Sequence, residues 1–415
     1  MVVSNPNQGI SAVAVGDSNS TIPSTSSNYV QAAPDFPSRS YSLAVDTAWR
    51  SSHEMDVYCM LADVNGNLIA NLQPTAGSVT IDGRRSVRRS MEMTLPDYSG
   101  SLMPTTNFDT EYPLGPFSQY TITIYRSIIA GFGQVDVPLG VFRPTDLSIT
   151  NDHTGTTLAV SGEDLSGMLA QPWNTQYQVA AGTNVNDAIT NVLNQWNIPL
   201  TFNLASTTYT TPQLTFGTDS NSSPWQDACL IAQASGMALY MDYAGRVTTS
   251  LYPSFDDVPD YTLDSGSTGV LLSLKRSFKR QAVNGVIVTA EGTGLLTPLP
   301  IPSNYGASID GYWIIDPSCA LRYNGPFGAN ATKISNPIFV SADQMNGVAP
   351  YLLNSVAGVQ MDLEIVPNPY LDAMDVVAVY DQDSGVDLAG IVDCVKIPLT
   401  PSGSSTVTIR ALGLS

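Results

Sequence analysis

From Ser40 onward the chain is built of short runs in which apolar and polar residues alternate, parted by Gly, Asn, Asp and Pro. A period of two marks strands with one buried face. Met55–Ala62, the Asn65-Gly66 pair and Leu68–Leu72 read as a hairpin, because Asn-Gly accepts the positive φ of a tight turn. Ile81–Leu95 alternates as well. Ile81, Val87, Met91, Met93 and Leu95 share one side, and Asp82, Arg84, Ser86, Arg88, Ser90, Glu92 and Thr94 the other. Tyr120–Tyr125, Val137–Phe142 and Thr157–Ser161 are further strands. Together they predict a small barrel or sandwich over residues 41–170.

The period then changes. Val185, Ile189, Val192, Leu193 and Trp196 follow helical spacing, with Thr183 placed as an N-cap. A second helix is predicted from Ser223, with Pro224 in the first helical position, to Gly236. Ala238–Tyr243, a turn at Ala244-Gly245 and Val247–Tyr252 form a hairpin, completing an α+β module over 171–252. Strands return at Gly269–Leu274 and Val283–Ala290, in position to complete the first barrel, and a Pro- and Gly-rich loop follows over Gly292–Asn336. Ser341 with Gln344 forms a capping box for a helix that Pro350 should kink or split and Gly358 should end. Val359–Ile365, Asp375–Tyr380, Asp387–Cys394 and Ser405–Leu412 read as strands of a second barrel-like domain within 253–415. The predicted class is therefore mainly β with an α+β middle module. Residues 1–40, rich in Ser, Asn, Pro and Thr without a sustained period, read as an extended arm.

Charge narrows the function. The 415 residues carry 36 Asp and Glu against 17 Lys and Arg, a net charge of -19. Tight nucleic-acid binding needs basic residues to neutralise phosphates, so this balance opposes it and suits a surface along which DNA slides. No basic leader followed by an apolar run opens the chain, and no run of about 20 apolar residues spans a membrane. Folding in a cytoplasm is expected. Cys59, Cys229, Cys319 and Cys394 lie far apart, with no metal-ligand spacing, and read as reduced, buried thiols.

Catalytic signals are sparse. His53 and His153 both sit in polar contexts, no GxSxG occurs, and Gly16-Asp17-Ser18 lies in the arm with no strand before it. No phosphate-binding glycine loop is present. Asp381–Asp387 resembles the start of a calcium loop, yet Val392 stands where a bidentate Glu is needed, so a solvated hairpin is expected. No cofactor, metal or catalytic residue is assigned. Two basic clusters stand out, Arg84, Arg85, Arg88 and Arg89, and Lys275, Arg276, Lys279 and Arg280. They read either as solvated strand faces or as contacts to acidic patches of a neighbouring subunit or ring, for which the guanidinium fork is suited. A DNA contact is opposed by the net charge. Trp196 and Trp225 are expected in the core, and Tyr41, Tyr112, Tyr305 and Tyr312 are candidate interface anchors.

Several segments, in order, resemble the phage tail hub family: the baseplate hubs of contractile phages, the N-terminal hub part of tail-associated lysins, and most nearly the minor tail proteins of actinobacteriophages. They are Gly77–Asp97, Pro138–Ile149, Val160–Leu169, Ala234–Val247, Val283–Gly292 and Val366–Asp381 with Lys396–Thr400. The resemblance implies a homotrimer in which two barrel-like domains per subunit make a pseudo-hexameric ring. That ring would join the six-fold tail tube or distal tail ring to a three-fold tip or fibres and meet the tape-measure protein. DNA would pass through its lumen without specific binding. Tail-associated lysins often continue into a fibre or lytic domain; this sequence ends at Ser415, so such a domain is expected on a separate protein. A cell-wall hydrolase and a carbohydrate-binding adhesin of the virion are the competing readings.

Overall fold

The computed structural model describes residues 43–63, 65–97, 102, 112–115, 118–153, 155–196, 198–218, 222–267, 269–276, 282–290, 312–314, 321, 325–326 and 328–412. The chain divides into units Met1–Ala32 and Ala33–Ser415, and all described residues belong to the second. The expected arm over 1–40 lies outside the described residues.

The first elements are α1 (Leu43–Trp49), β1 (Glu54–Ala62), β2 (Leu68–Leu72), β3 (Ala76–Asp82), β4 (Arg89–Pro96), β5 (Thr121–Ala130), β6 (Gly133–Asp152) and β7 (Gly155–Asp164). Next come α2 (Ser166–Leu169), β8 (Tyr177–Val179), α3 (Val185–Leu193), β9 (Phe202–Asn203), β10 (Leu214–Phe216), α4 (Pro224–Gln233), β11 (Met237–Met241) and β12 (Val247–Leu251). They are followed by β13 (Tyr261–Asp264), β14 (Leu271–Arg276), β15 (Gly285–Ala290), β16 (Tyr312–Ile314), β17 (Ala331–Asn336) and α5 (Ala342–Val356). The chain closes with β18 (Val359–Ile365), β19 (Val376–Asp381), β20 (Val386–Pro398) and β21 (Ser405–Ala411).

Thirteen strands form one sheet, ordered β14-β18-β21-β20-β3-β4-β7-β6-β5-β1-β2, with β19 branching from β20 and β13 pairing with β19. Because β3 is antiparallel to both β4 and β20, strands from the two ends of the chain share one hydrogen-bonded surface. The apolar side is continuous across that joint: Val79, Ile81, Met91 and Val160 belong to one buried cluster with Met361, Leu363, Val395 and Ile409. Each such side chain is worth about 1.5–3 kcal/mol when removed from water.

The alternating stretch Ile81–Leu95 is two strands, parted by a turn at Gly83–Arg88. Alternation holds within β4, where Arg89, Met91, Met93 and Leu95 are buried. The strands at 271–276 and 285–290 do not complete the first set. β14 pairs with β18, and β15 pairs with β16 and β17 in a small separate sheet. The stretch read as a Pro- and Gly-rich loop therefore holds two strands; β17 has one large apolar residue, Ile334, and takes its strand geometry from its parallel partner.

A second buried cluster lies among α3, α4 and α5, with Trp225, Ile231, Met241, Val286 and Leu352 at its centre. The segment 171–252 thus shares its core with residues from 282–357. Asn184, one residue beyond Thr183, is the N-cap of α3 and accepts from the Asn186 amide, while the Thr183 hydroxyl donates to Ala180 O at 2.7 Å. Ser223 caps α4 with Pro224 in its first turn. Ser341 caps α5 by accepting from the Gln344 amide at 3.1 Å, and Gln344 Oε1 accepts from Val340 N at 3.0 Å. Pro350 does not split α5, which runs unbroken to Val356. Its apolar face is packed, and Arg410 Nη1 donates at 2.7 Å to both Asn354 O and Ala357 O, supplying donors for carbonyls that the helix end leaves open. Among the described residues no helix is long and apolar enough to cross a membrane.

Candidate assembly surface

The turn between β3 and β4 carries the first arginine cluster. Asp82 organises it: its carboxylate accepts from the Arg84 amide at 3.0 Å and from Nε and Nη2 of the same guanidinium at 2.8 Å each. Burial pushes the Asp82 carboxyl up, but the Arg84 bonds outweigh it and hold the carboxyl below its usual range. Arg84 and Arg85 remain exposed, in a position to meet another chain.

Arg88 and Arg89 correct the expectation, because both are buried inside the subunit, at 4% and 0% exposure. Arg89 is a three-way tie. Nη1 donates to Leu139 O in β6 at 2.8 Å, Nε to Met241 O in β11 at 3.3 Å, and Nη2 to the Asp372 carboxylate. Arg88 lies over the Tyr240 ring, 3.7 Å from its centroid, and Nη2 stands 2.9 Å from Met374 Sδ. Desolvation pulls the Arg88 pKa down. Met374 has φ 76, a conformation that a side chain adopts only where its surroundings over-determine it. Trp225 Nε1 donates to Ser86 O at 2.7 Å and pins the turn to α4. These two arginines therefore bind the sheet to the helical layer and are closed to a neighbour.

The second cluster lies elsewhere. Lys275 and Arg276 are exposed at the end of β14, separated from β3 by β18, β21 and β20. Lys279 and Arg280 lie outside the described residues. Tyr112 is buried at 6% exposure and is no surface anchor, whereas Trp225 is in the core and Trp196 packs on its margin. Tyr41, Tyr305 and the side chain of Tyr312 lie outside the described residues.

What the sequence did not reveal is the set of open strand flanks. Among the described residues β14 has a partner only on its β18 side, β2 only on its β1 side, and the second half of β6 only on its β7 side. Open flanks template pairing with another chain. Aliphatic side chains accompany them, with Leu272 54%, Leu68 51% and Ile69 47% exposed. No local signal marks these flanks, since they are defined by where a partner strand is missing.

Chemistry elsewhere is modest. Asp381–Val386 closes a hairpin, with the Asp381 carboxylate bonded to the Ser384 hydroxyl, which lowers its pKa. Among the described residues no group of three or more His, Cys, Asp or Glu is placed to hold a metal. His53 Nδ1 lies 2.9 Å from Ser51 O, and His153 is exposed. Cys59, Cys229 and Cys394 are free thiols; Cys59 is fully buried and the other two are partly covered, while Cys319 lies outside the described residues. A cleft of about 560 Å³ is lined by Arg143, Glu163, Gln171 and Trp196. Arg143 is held there by Ser118 O and the Met168 sulfur.

No family model matches the sequence, and no curated protein matches it. Solved structures do match the fold. A tail protein from Neisseria meningitidis aligns with TM-score 0.56 at 14% identity, over 86% of this chain and 96% of its own. A prophage tail protein from Shewanella oneidensis aligns with TM-score 0.51 at 12% identity, over 85% and 98%. A prophage tail protein from Listeria monocytogenes aligns with TM-score 0.51 at 10% identity, over 86% and 94%. The mainly β fold, with its large antiparallel sheet, is similar to the folds of these three tail proteins.

Proposed function

We propose that the chain is a structural hub of a phage tail, a homotrimer whose ring joins the six-fold tail tube or distal tail ring to a three-fold tip or fibres. The observation that carries this reading is the match of the fold, nearly end to end, to solved tail proteins. A sheet whose flanks are open among the described residues, and bear exposed aliphatic residues, adds to it, because open flanks template pairing with further chains. The role is assembly and not catalysis. The tape-measure protein would meet the ring from above, and tip or fibre proteins from below.

DNA would pass through the lumen without specific binding. The polar side of the sheet suits that role, since Glu92, Asp146 and Asp362 are exposed there among Ser and Thr residues. Like charge keeps DNA from adhering. A lumen lined mainly by Arg and Lys would contradict this placement.

The test is the mass of the purified chain by native mass spectrometry, with negative-stain images. The expected species has about three times the 44.2 kDa of one chain and a central hole. A monomer that cleaves cell walls or binds glycans would replace this reading with an enzyme or an adhesin.

A further inference from the structure

The large sheet contains the same four-strand unit twice, in tandem. The order β14-β18-β21-β20 is followed directly by β3-β4-β7-β6. The units agree in detail. In each, the last strand is long and first pairs with a neighbour outside the unit, β19 or β5, before turning to β21 or β7. Both long strands carry an irregularity at the corresponding place, between Val392 and Cys394 in β20 and between Pro144 and Asp146 in β6. Counting outward from these, Met361 opposite Ile409 corresponds to Met91 opposite Gly162, and Arg276 opposite Met361 corresponds to Val79 opposite Met91.

The two units are joined inside the chain by β20 and β3, with Ile397 opposite Val79 and Pro398 opposite Ser78. The corresponding joint at the far ends, between the second half of β6 and β14, is not made among the described residues. Its flanks look unfinished. Val395 and Ile397, beside the made joint, are both 0% exposed, while their counterparts Leu147 and Ile149 are only partly buried. β14 in turn exposes Leu272, Lys275 and Arg276 along its open flank.

We infer that the second half of β6 in one copy pairs with β14 of the next, reproducing the β20–β3 joint between chains. The inference rests on the homotrimer reading and supplies its contact. Transferring the register puts Ile149 opposite Arg276 and Thr150 opposite Lys275, antiparallel. The contact is head-to-tail, so it closes a ring when the rotation per copy allows. It covers Leu147 and Ile149 as Val395 and Ile397 are already covered. It also gives Lys275 and Arg276 an interfacial place that Arg88 and Arg89 do not have.

The test is a disulfide between copies of the full chain. Directly opposed residues of an antiparallel pair have Cα atoms about 4.5–5.5 Å apart, within disulfide reach, whereas a diagonal pair is about 7–8 Å apart and outside it. Thr150→Cys combined with Lys275→Cys, both exposed positions, should give covalent dimers and trimers on a non-reducing gel after mild oxidation. Each single variant, and Ser148→Cys with Lys275→Cys, should give none. A wild-type trimer whose Thr150/Lys275 pair fails to cross-link, or cross-links no better than the Ser148 pair, overturns this joint and leaves the ring standing. A wild-type monomer with no cross-link overturns both.

Discussion

Arg89→Met separates the interior role of this arginine from the surface role its neighbours suggest. Methionine keeps much of the length and loses the charge. The variant strips a donor from Leu139 O and Met241 O and removes the guanidinium from the Asp372 carboxylate, all at a side chain that is 0% exposed. Asp372 would keep the Ala373 amide, at 2.8 Å. Removing one partner of a buried ion pair costs about 3–5 kcal/mol, and the 16% exposure of Asp372 puts the loss at the lower end of that range. That is a large share of a typical total stability of about 5–15 kcal/mol. Urea unfolding followed by circular dichroism and tryptophan fluorescence measures it. Since Arg89 ties β6 and β11 together, tryptophan fluorescence, to which Trp173, Trp196 and Trp225 of the helical cluster contribute, should move to lower urea before the sheet signal does. Adding Asp372→Asn should recover part of the loss, giving a coupling that a double-mutant cycle reads directly. A loss below about 1 kcal/mol, with both signals still coincident, would refute the view of Arg89 as a buried tie.

Arg84→Ala, by contrast, should cost no more than about 1 kcal/mol in the same titration, because the Arg84 side chain is exposed and water can replace it beside Asp82. Gly77→Ala should destabilise by upward of about 2 kcal/mol: Gly77 has φ +138, and an added Cβ would sit 2.2 Å from Glu92 O and 2.7 Å from Met93 Cα, both backbone atoms. Burial pushes the Cys59 thiol up to about 12 and the Cys394 thiol up to about 11. Raised values disfavour the thiolate, so peptide-mapped alkylation at pH 8 should leave Cys59 unmodified in the folded chain and label it in urea; rapid native labelling would contradict its burial.

Much of the local structure was legible along the chain. The hairpin at Asn65-Gly66, the Ser223-Pro224 and Ser341 helix starts, and the strands at 359–365 and 405–411 follow from turn chemistry, caps and alternation, which act over a few residues. Short elements with little apolar content, such as Ala331–Asn336, escaped because their geometry is imposed by a partner strand. The open flanks escaped for the same reason, since a flank is open or closed according to what lies beside it.

The sequence by itself determined the mainly β class, the helical interruption in the middle, the acidic surface and the absence of recognisable catalytic motifs, because these depend on composition and short-range pattern. Only the tertiary structure decided that the two sets of strands form one sheet through β3 and β20, that residues 282–357 share the helical core, and that Arg88 and Arg89 turn inward while Arg84 and Arg85 stay in solvent. Four arginines within six positions look alike to any local rule. Whether each meets water, a carbonyl or a carboxylate depends on chain segments up to hundreds of residues away that fold over it.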